Sequence, residues 1–154
     1  MCLRCDGYSE DDVHRAIDLN VRVHGFHICA VQDTHPWTYT IGVLQSTGHP
    51  DLVVTDIESS PAGRLLWWID AGIDESGRLD ATELAEGGVR LVAVHPSQPQ
   101  GELFGTWIQH YGRFPRPGEI LQALPPPDWM CGTHRRRLTR LDRPPPTSRT
   151  GRRP

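Results

Sequence analysis

Two short motifs carry the sharpest chemistry in this sequence. Cys2-x-x-Cys5 and Cys131-x-x-His134 each have the spacing at which one turn offers two ligands to one ion. Together they form a Cys3His set, and structural zinc takes four tetrahedral sulfur and nitrogen ligands from such paired half-sites. The halves lie near opposite ends of the sequence, so a shared zinc requires a fold that brings both ends together. A metal-free surface pair, a redox dithiol and an unrelated Cys131 are the competing readings. No thioredoxin-like βαβ pattern adjoins the C-x-x-C, which argues against the dithiol. Cys29 falls in an apolar run and reads as a small core residue.

Histidine is the second source of chemistry, with eight in the chain. His49 sits in a polar loop, and His95 ends an apolar run. Tyr39, Thr40, His49 and His95 therefore define a candidate pocket at a strand end, suited to a small-molecule enzyme. Any one of these histidines also reads as a cap or a satisfied core group, because an imidazole without a partner is not a site. No H-E-x-x-H, G-x-S-x-G or phosphate-loop pattern is present, so no reaction is named.

The third source is charge. The chain carries 16 basic and 19 acidic residues for a net charge of −3, and every basic residue is arginine. Arg135, Arg136, Arg137, Arg140 and Arg143 head a basic, proline-rich end, while the rest of the chain is acidic. Such an end would attract nucleic acid or another polyanion through counterion release. It lacks the interleaved aromatics of a single-strand stacking platform, and it also reads as a solvated tail.

These residues need a frame. At 154 residues the chain suits one domain with a real core, expected over residues 1–134, followed by a disordered tail over 135–154. No apolar run reaches the length of a membrane span, and no apolar signal region follows the opening residues, so a cytoplasmic bacterial protein with reduced cysteines is the expectation.

The frame centres on residues 36–57. Trp37, Tyr39, Ile41 and Val43 alternate with Thr38, Thr40 and Gly42, the period of a strand with one buried face. Residues 45–50 carry turn chemistry, and Leu52-Val53-Val54 is short and apolar enough for a strand buried on both faces. Gly42 within the strand marks either a bulge or the close approach of a ligand. Before this pair, Ser9 and Asp12 form a capping box, and Val13, Ile17 and Val21 make a stripe that ends at Gly25. A strand over 26–31 follows. Beyond the pair come a helix from Ser59, an acidic loop over 72–88, a strand over 89–94, a helix over 102–111 and a strand over 119–124. The expected order is αβββαβαβ. The fold class is α+β, with a mostly antiparallel sheet of about five strands and three helices on one face.

Tyr39-Thr40-Ile41-Gly42 followed by Gly48-His49-Pro50-Asp51-Leu52-Val53-Val54 resembles an uncharacterised bacterial family, domain of unknown function 4262. The opening Met-Cys-Leu-Arg-Cys-Asp, His24-Gly25-Phe26, Tyr111-Gly112 and Ile120-Leu121-Gln122 fit it in order. The resemblance covers roughly residues 1 to 124 and implies no activity. The residues themselves support a small binding or regulatory domain with a zinc ion joining its termini. A Tyr/His enzyme and a polyanion-binding tail are the alternatives.

Overall fold

A computed structural model describes residues 6–129 and 138–147. Helix α1 spans Glu10–His24. Ser9 Oγ accepts the Asp12 N–H at 3.2 Å, and the Asp12 carboxylate accepts the Ser9 N–H at 3.3 Å, so two orphan donors are satisfied reciprocally. Gly25 closes the helix in a left-handed conformation and donates to the Val21 carbonyl. Val13, Ile17 and Val21 form the buried stripe.

The chain then makes β1 (His27–Val31), β2 (Trp37–Ile41), a single helical turn α2 (Val43–Thr47) and β3 (Asp51–Thr55). Helices α3 (Ser59–Ala71) and α4 (Ala81–Glu86) lead to β4 (Arg90–Ala93). Helices α5 (Gln100–Leu103) and α6 (Gly105–Tyr111) lead to β5 (Ile120–Leu124) and a 3-10 turn at Pro127–Trp129. The strands lie in the order β1-β2-β3-β5-β4. Every neighbouring pair is antiparallel except β3 and β5. The fold is thus α+β with a five-stranded, mostly antiparallel sheet. Three helices reach seven residues or more, and three short ones join them.

Three expectations need correction. First, helices cover both faces of the sheet rather than one. Tyr39, Ile41, Val53 and Ile120 pack with α1 and Trp107 of α6 on one face. Leu52, Val54 and Ala123 pack with α3 and Leu84 of α4 on the other. Side-chain period reports that a strand is buried, but not what buries each side. Every residue of β3 is buried. Second, the turn over 45–50 contains α2, bracketed by Gly42 and Gly48 at positive φ. Gly42, with φ 104°, lies beyond the end of β2 and caps α2 rather than forming a bulge within the strand. A Cβ there would lie 2.6 Å from Val21 Cγ2, so the turn and its packing on α1 exclude a side chain.

The third correction concerns the tail. Residues 138–147 are described, and part of this segment packs against the α1 side of the sheet, where the sequence predicts a disordered tail. Leu141 is 2% exposed within the α1-side core. Thr139 donates its N–H to Asp56 at 2.6 Å, and its carbonyl accepts from Thr55 at 2.8 Å and from Gln122 at 2.7 Å. The Leu141 N–H donates to Gln122 Oε1 at 2.7 Å, and the Leu141 carbonyl accepts from the His95 N–H. One leucine among the arginines was enough to anchor the segment, because the buried Gln122 offers it both a donor and an acceptor.

Candidate functional site

The motif residues Thr40, Gly42 and Asp51 converge on one buried carboxylate. Asp51 opens β3 and is fully buried. Its Oδ1 accepts from Thr40 Oγ1 at 2.9 Å and from the Val43 N–H at 3.0 Å. Its Oδ2 accepts from Trp107 Nε1 at 2.9 Å and from the Tyr111 hydroxyl at 3.1 Å. Thr40 Oγ1 in turn accepts the Leu52 N–H, and the Tyr111 hydroxyl accepts the Gly42 N–H. Burial pushes Asp51 up to about 6, against the opposing pull of Trp107, Thr40, the Val43 N–H and Tyr111. Fully buried and with four donors satisfied, this carboxylate ties β2, α2, β3 and α6 together.

His49, two residues earlier, faces open space. It is 8% exposed and lines a groove of about 480 Å³ with Leu79, Ala81, Leu84, Ala85, Val89, Arg90, Leu91 and Val92. The groove lies between α4 and edge strand β4. A second hollow of about 250 Å³ shares Leu79 and Leu84 with it and extends toward Trp68. His49 Nδ1 lies 2.8 Å from the Pro50 carbonyl. Burial lowers its pKa, so the ring is neutral. A carbonyl only accepts, so the proton sits on Nδ1 and Nε2 keeps its lone pair. Gly77 packs on the Thr47 carbonyl and the His49 N–H with φ 78°, which seats the acidic loop beside the histidine and leaves no room for a Cβ. Arg90 supplies the cationic group of the groove lining.

The other candidate residues do not join His49. Tyr39 is 2% exposed on the opposite face, edge-on to Phe104 with centroids 5.5 Å apart, and burial raises its hydroxyl above the ordinary range. Thr40 belongs to the Asp51 network. His95 lies beyond β4, its Nδ1 2.7 Å from Ser97 Oγ. The four-residue pocket is therefore not assembled. By the register, His49 and His95 leave the same end of the sheet, yet no hydrogen bond links them. Cys2, Cys5, Cys131 and His134 lie outside the described residues, as do Arg135, Arg136 and Arg137. Among the described residues no group of three or more His, Cys, Asp or Glu could hold a metal ion. Arg140 spends its guanidinium on Asp142 in a two-pronged pair at 2.9 and 2.6 Å. Among the described residues, no helix is long and apolar enough to cross a membrane.

The buried polar residue most easily missed in the sequence is Asp51, which follows Gly-His-Pro and looks like loop. Its one clue was its place at the head of an apolar run. Trp107 had a clue too, since a buried indole N–H needs an acceptor.

No curated protein and no solved structure matches the chain. A family model does match, over residues 20–127, which include both halves of the Asp51 network and His49. The chain belongs to the family described as Domain of unknown function (DUF4262).

Proposed function

We propose that the protein is a binding module of the bacterial cytoplasm that takes a small amphipathic ligand in the His49 groove. The observation that carries this reading is a neutral imidazole, its Nε2 without a hydrogen-bond partner among the described residues, lining an apolar groove of ligand size. Leu84, Ala85 and Leu91 would hold the apolar body. Nε2 would accept from a hydroxyl or amide of the ligand, and Arg90 would meet an anionic end. Saturation-transfer NMR with a library of amphipathic carboxylic acids tests it. Binders are expected for the native protein, weakened at least tenfold by Ala85→Trp, which fills the groove from an exposed position. An absence of binders, or binding indifferent to Ala85→Trp, would refute the reading.

A zinc ion held by Cys2, Cys5, Cys131 and His134 is the second element of this proposal, and the corner of the fold from which both segments depart supports it. Asn20 bonds His27, the first residue of β1, so α1 runs back along β1 and starts beside its far end at Val31. The register aligns Val31 with Trp37 and Trp37 with Thr55, where Thr139 docks. Val13 and Leu141 share one core cluster. Val31 and Thr55 lie two strand spacings, roughly 10 Å, apart. Cys5 stands four residues before Ser9, and His134 five before Thr139, which gives each segment a reach of more than about 12 Å. Thiolates and imidazole would supply a closed tetrahedral site that adds folding energy. Elemental analysis of protein purified under reducing conditions is expected to find one zinc per chain, lost in Cys131→Ser, with a lower melting temperature after chelation. Zinc-free native protein would end the idea.

A further inference from the structure

Every open sheet has two edge strands, and here they differ. Strand β4 opens with Arg90 and stands behind α4, which carries Glu83 and Glu86. Strand β1 reads His27-Ile28-Cys29-Ala30-Val31, with no lysine, arginine or proline, and it pairs with β2 residue for residue without a bulge. It therefore lacks the charged side chains, the proline and the bulge by which natural edges repel another strand. It ends the sheet, with no strand of the described residues on its outer side.

The flanks of β1 are also apolar and open. On one face, Asn20 of α1 bonds His27, so this flank of the helix stands over the strand. Val23, one turn further along, is 63% exposed, and Leu19, one turn before Val23, is 56% exposed. On the other face, Trp67 of α3 is 49% exposed and covers Phe26, with ring centroids 4.6 Å apart. Helix α1 starts with Glu10, Asp11 and Asp12 and ends with Arg22 and His24.

We propose that β1 pairs antiparallel with β1 of a second copy of this chain about a two-fold axis, making one continuous ten-stranded sheet. A second copy fits better than a foreign strand because of the charges on α1. The axis lays the two α1 helices side by side and antiparallel, so the acidic first turn of each faces the basic last turn of the other. Val23 then lies against the acidic first turn of the other α1 and Leu19 against the middle of that helix, so both are covered on that face, and the two Trp67 residues flank the seam on the other. A self-complementary patch of this kind is what a two-fold interface requires.

Sedimentation and light scattering of the full chain at about 1 to 100 µM test the proposal, since dimer content depends on protomer concentration. The expected mass is twice the 17.3 kDa of one chain. Val23→Glu combined with Leu19→Glu, both at exposed sites, is expected to raise the dissociation constant at least tenfold while circular dichroism shows an intact fold. Trp67→Ser is expected to weaken association independently. Phe114→Glu, at another exposed apolar residue, serves as the control and leaves it unchanged. A monomer throughout this range, or a dimer unmoved by the Leu19, Val23 and Trp67 variants, overturns the proposal.

Discussion

Asp51→Ala is expected to cost about 4 kcal/mol or more, because it orphans two hydroxyls, a backbone N–H and an indole N–H in a dry interior, at about 1–3 kcal/mol each before relaxation. That is a large share of the 5–15 kcal/mol typical of a domain. Urea denaturation measures it, and a loss below about 1 kcal/mol would show that the network is incidental. The pH dependence separates burial from hydrogen bonding as the stronger influence. The folded value is raised to about 6 from 3.8, so the folded state binds the proton more tightly than the unfolded chain. Stability from this group is then greatest at low pH and falls as pH rises between about 4 and 6, by roughly 3 kcal/mol in all. The buried His27, His49 and His110 have lowered values and work in the opposite sense as they protonate. The difference between native protein and Asp51→Asn cancels them. That difference should widen from pH 7 to pH 5. A difference that stays flat from pH 7 to pH 5 and narrows only below about pH 4 would mean that the four donors outweigh burial.

Leu141→Ala is expected to cost about 2–4 kcal/mol, the usual range for emptying a leucine site in a packed core. Arg140→Ala, one residue away, should cost about 1 kcal/mol or less, because its pair with Asp142 is a partly exposed local contact two residues along the chain. Thermal or urea denaturation of the two variants checks the contrast. Equal and negligible effects would return the segment to the status of a solvated tail. The result also bears on the basic end of the chain, since Arg140 is already neutralised by Asp142 and is a poor contributor to any polyanion contact.

How much of this was legible in the sequence depended on whether the signal was local. The capping box at Ser9, the stop at Gly25 and the strand at β2 are local, and all appear in the structure, but Thr38 and Thr40 are buried too, so β2 has no open face. The helix expected over 102–111 splits at Phe104, whose extended φ of −126° breaks the ladder between α5 and α6. Propensity alone does not reveal such a break. The parallel pairing of β3 with β5, the docking of Leu141 and the placement of Tyr39 and His49 on opposite faces are tertiary facts. Period-two patterning assigns a side chain to one of two faces without saying which. His49 was recoverable as a candidate because a turn held it beside the central strands. Asp51 was not, because nothing local distinguishes a loop aspartate from one that four donors will enclose.

The parallel pairing of β3 with β5 also bears on how the molecule is made. The partner of the central strand is the last strand of the sheet, and the bonds that fix it join residues far apart in the chain. Trp107 and Asp51 are separated by 56 positions, Gln122 and Thr55 by 67, and Thr139 and Thr55 by 84. Loops of that length must close before these contacts stabilise anything. During synthesis the hairpin of β1 and β2 emerges with β3 behind it, while the other side of β3 waits for the C-terminal third of the protein. The nascent chain therefore presents a strand open on one side, its middle apolar and Asp51 at its head, to its surroundings for most of translation. High contact order of this kind predicts slow folding and places the greatest aggregation hazard on the ribosome rather than in the finished protein.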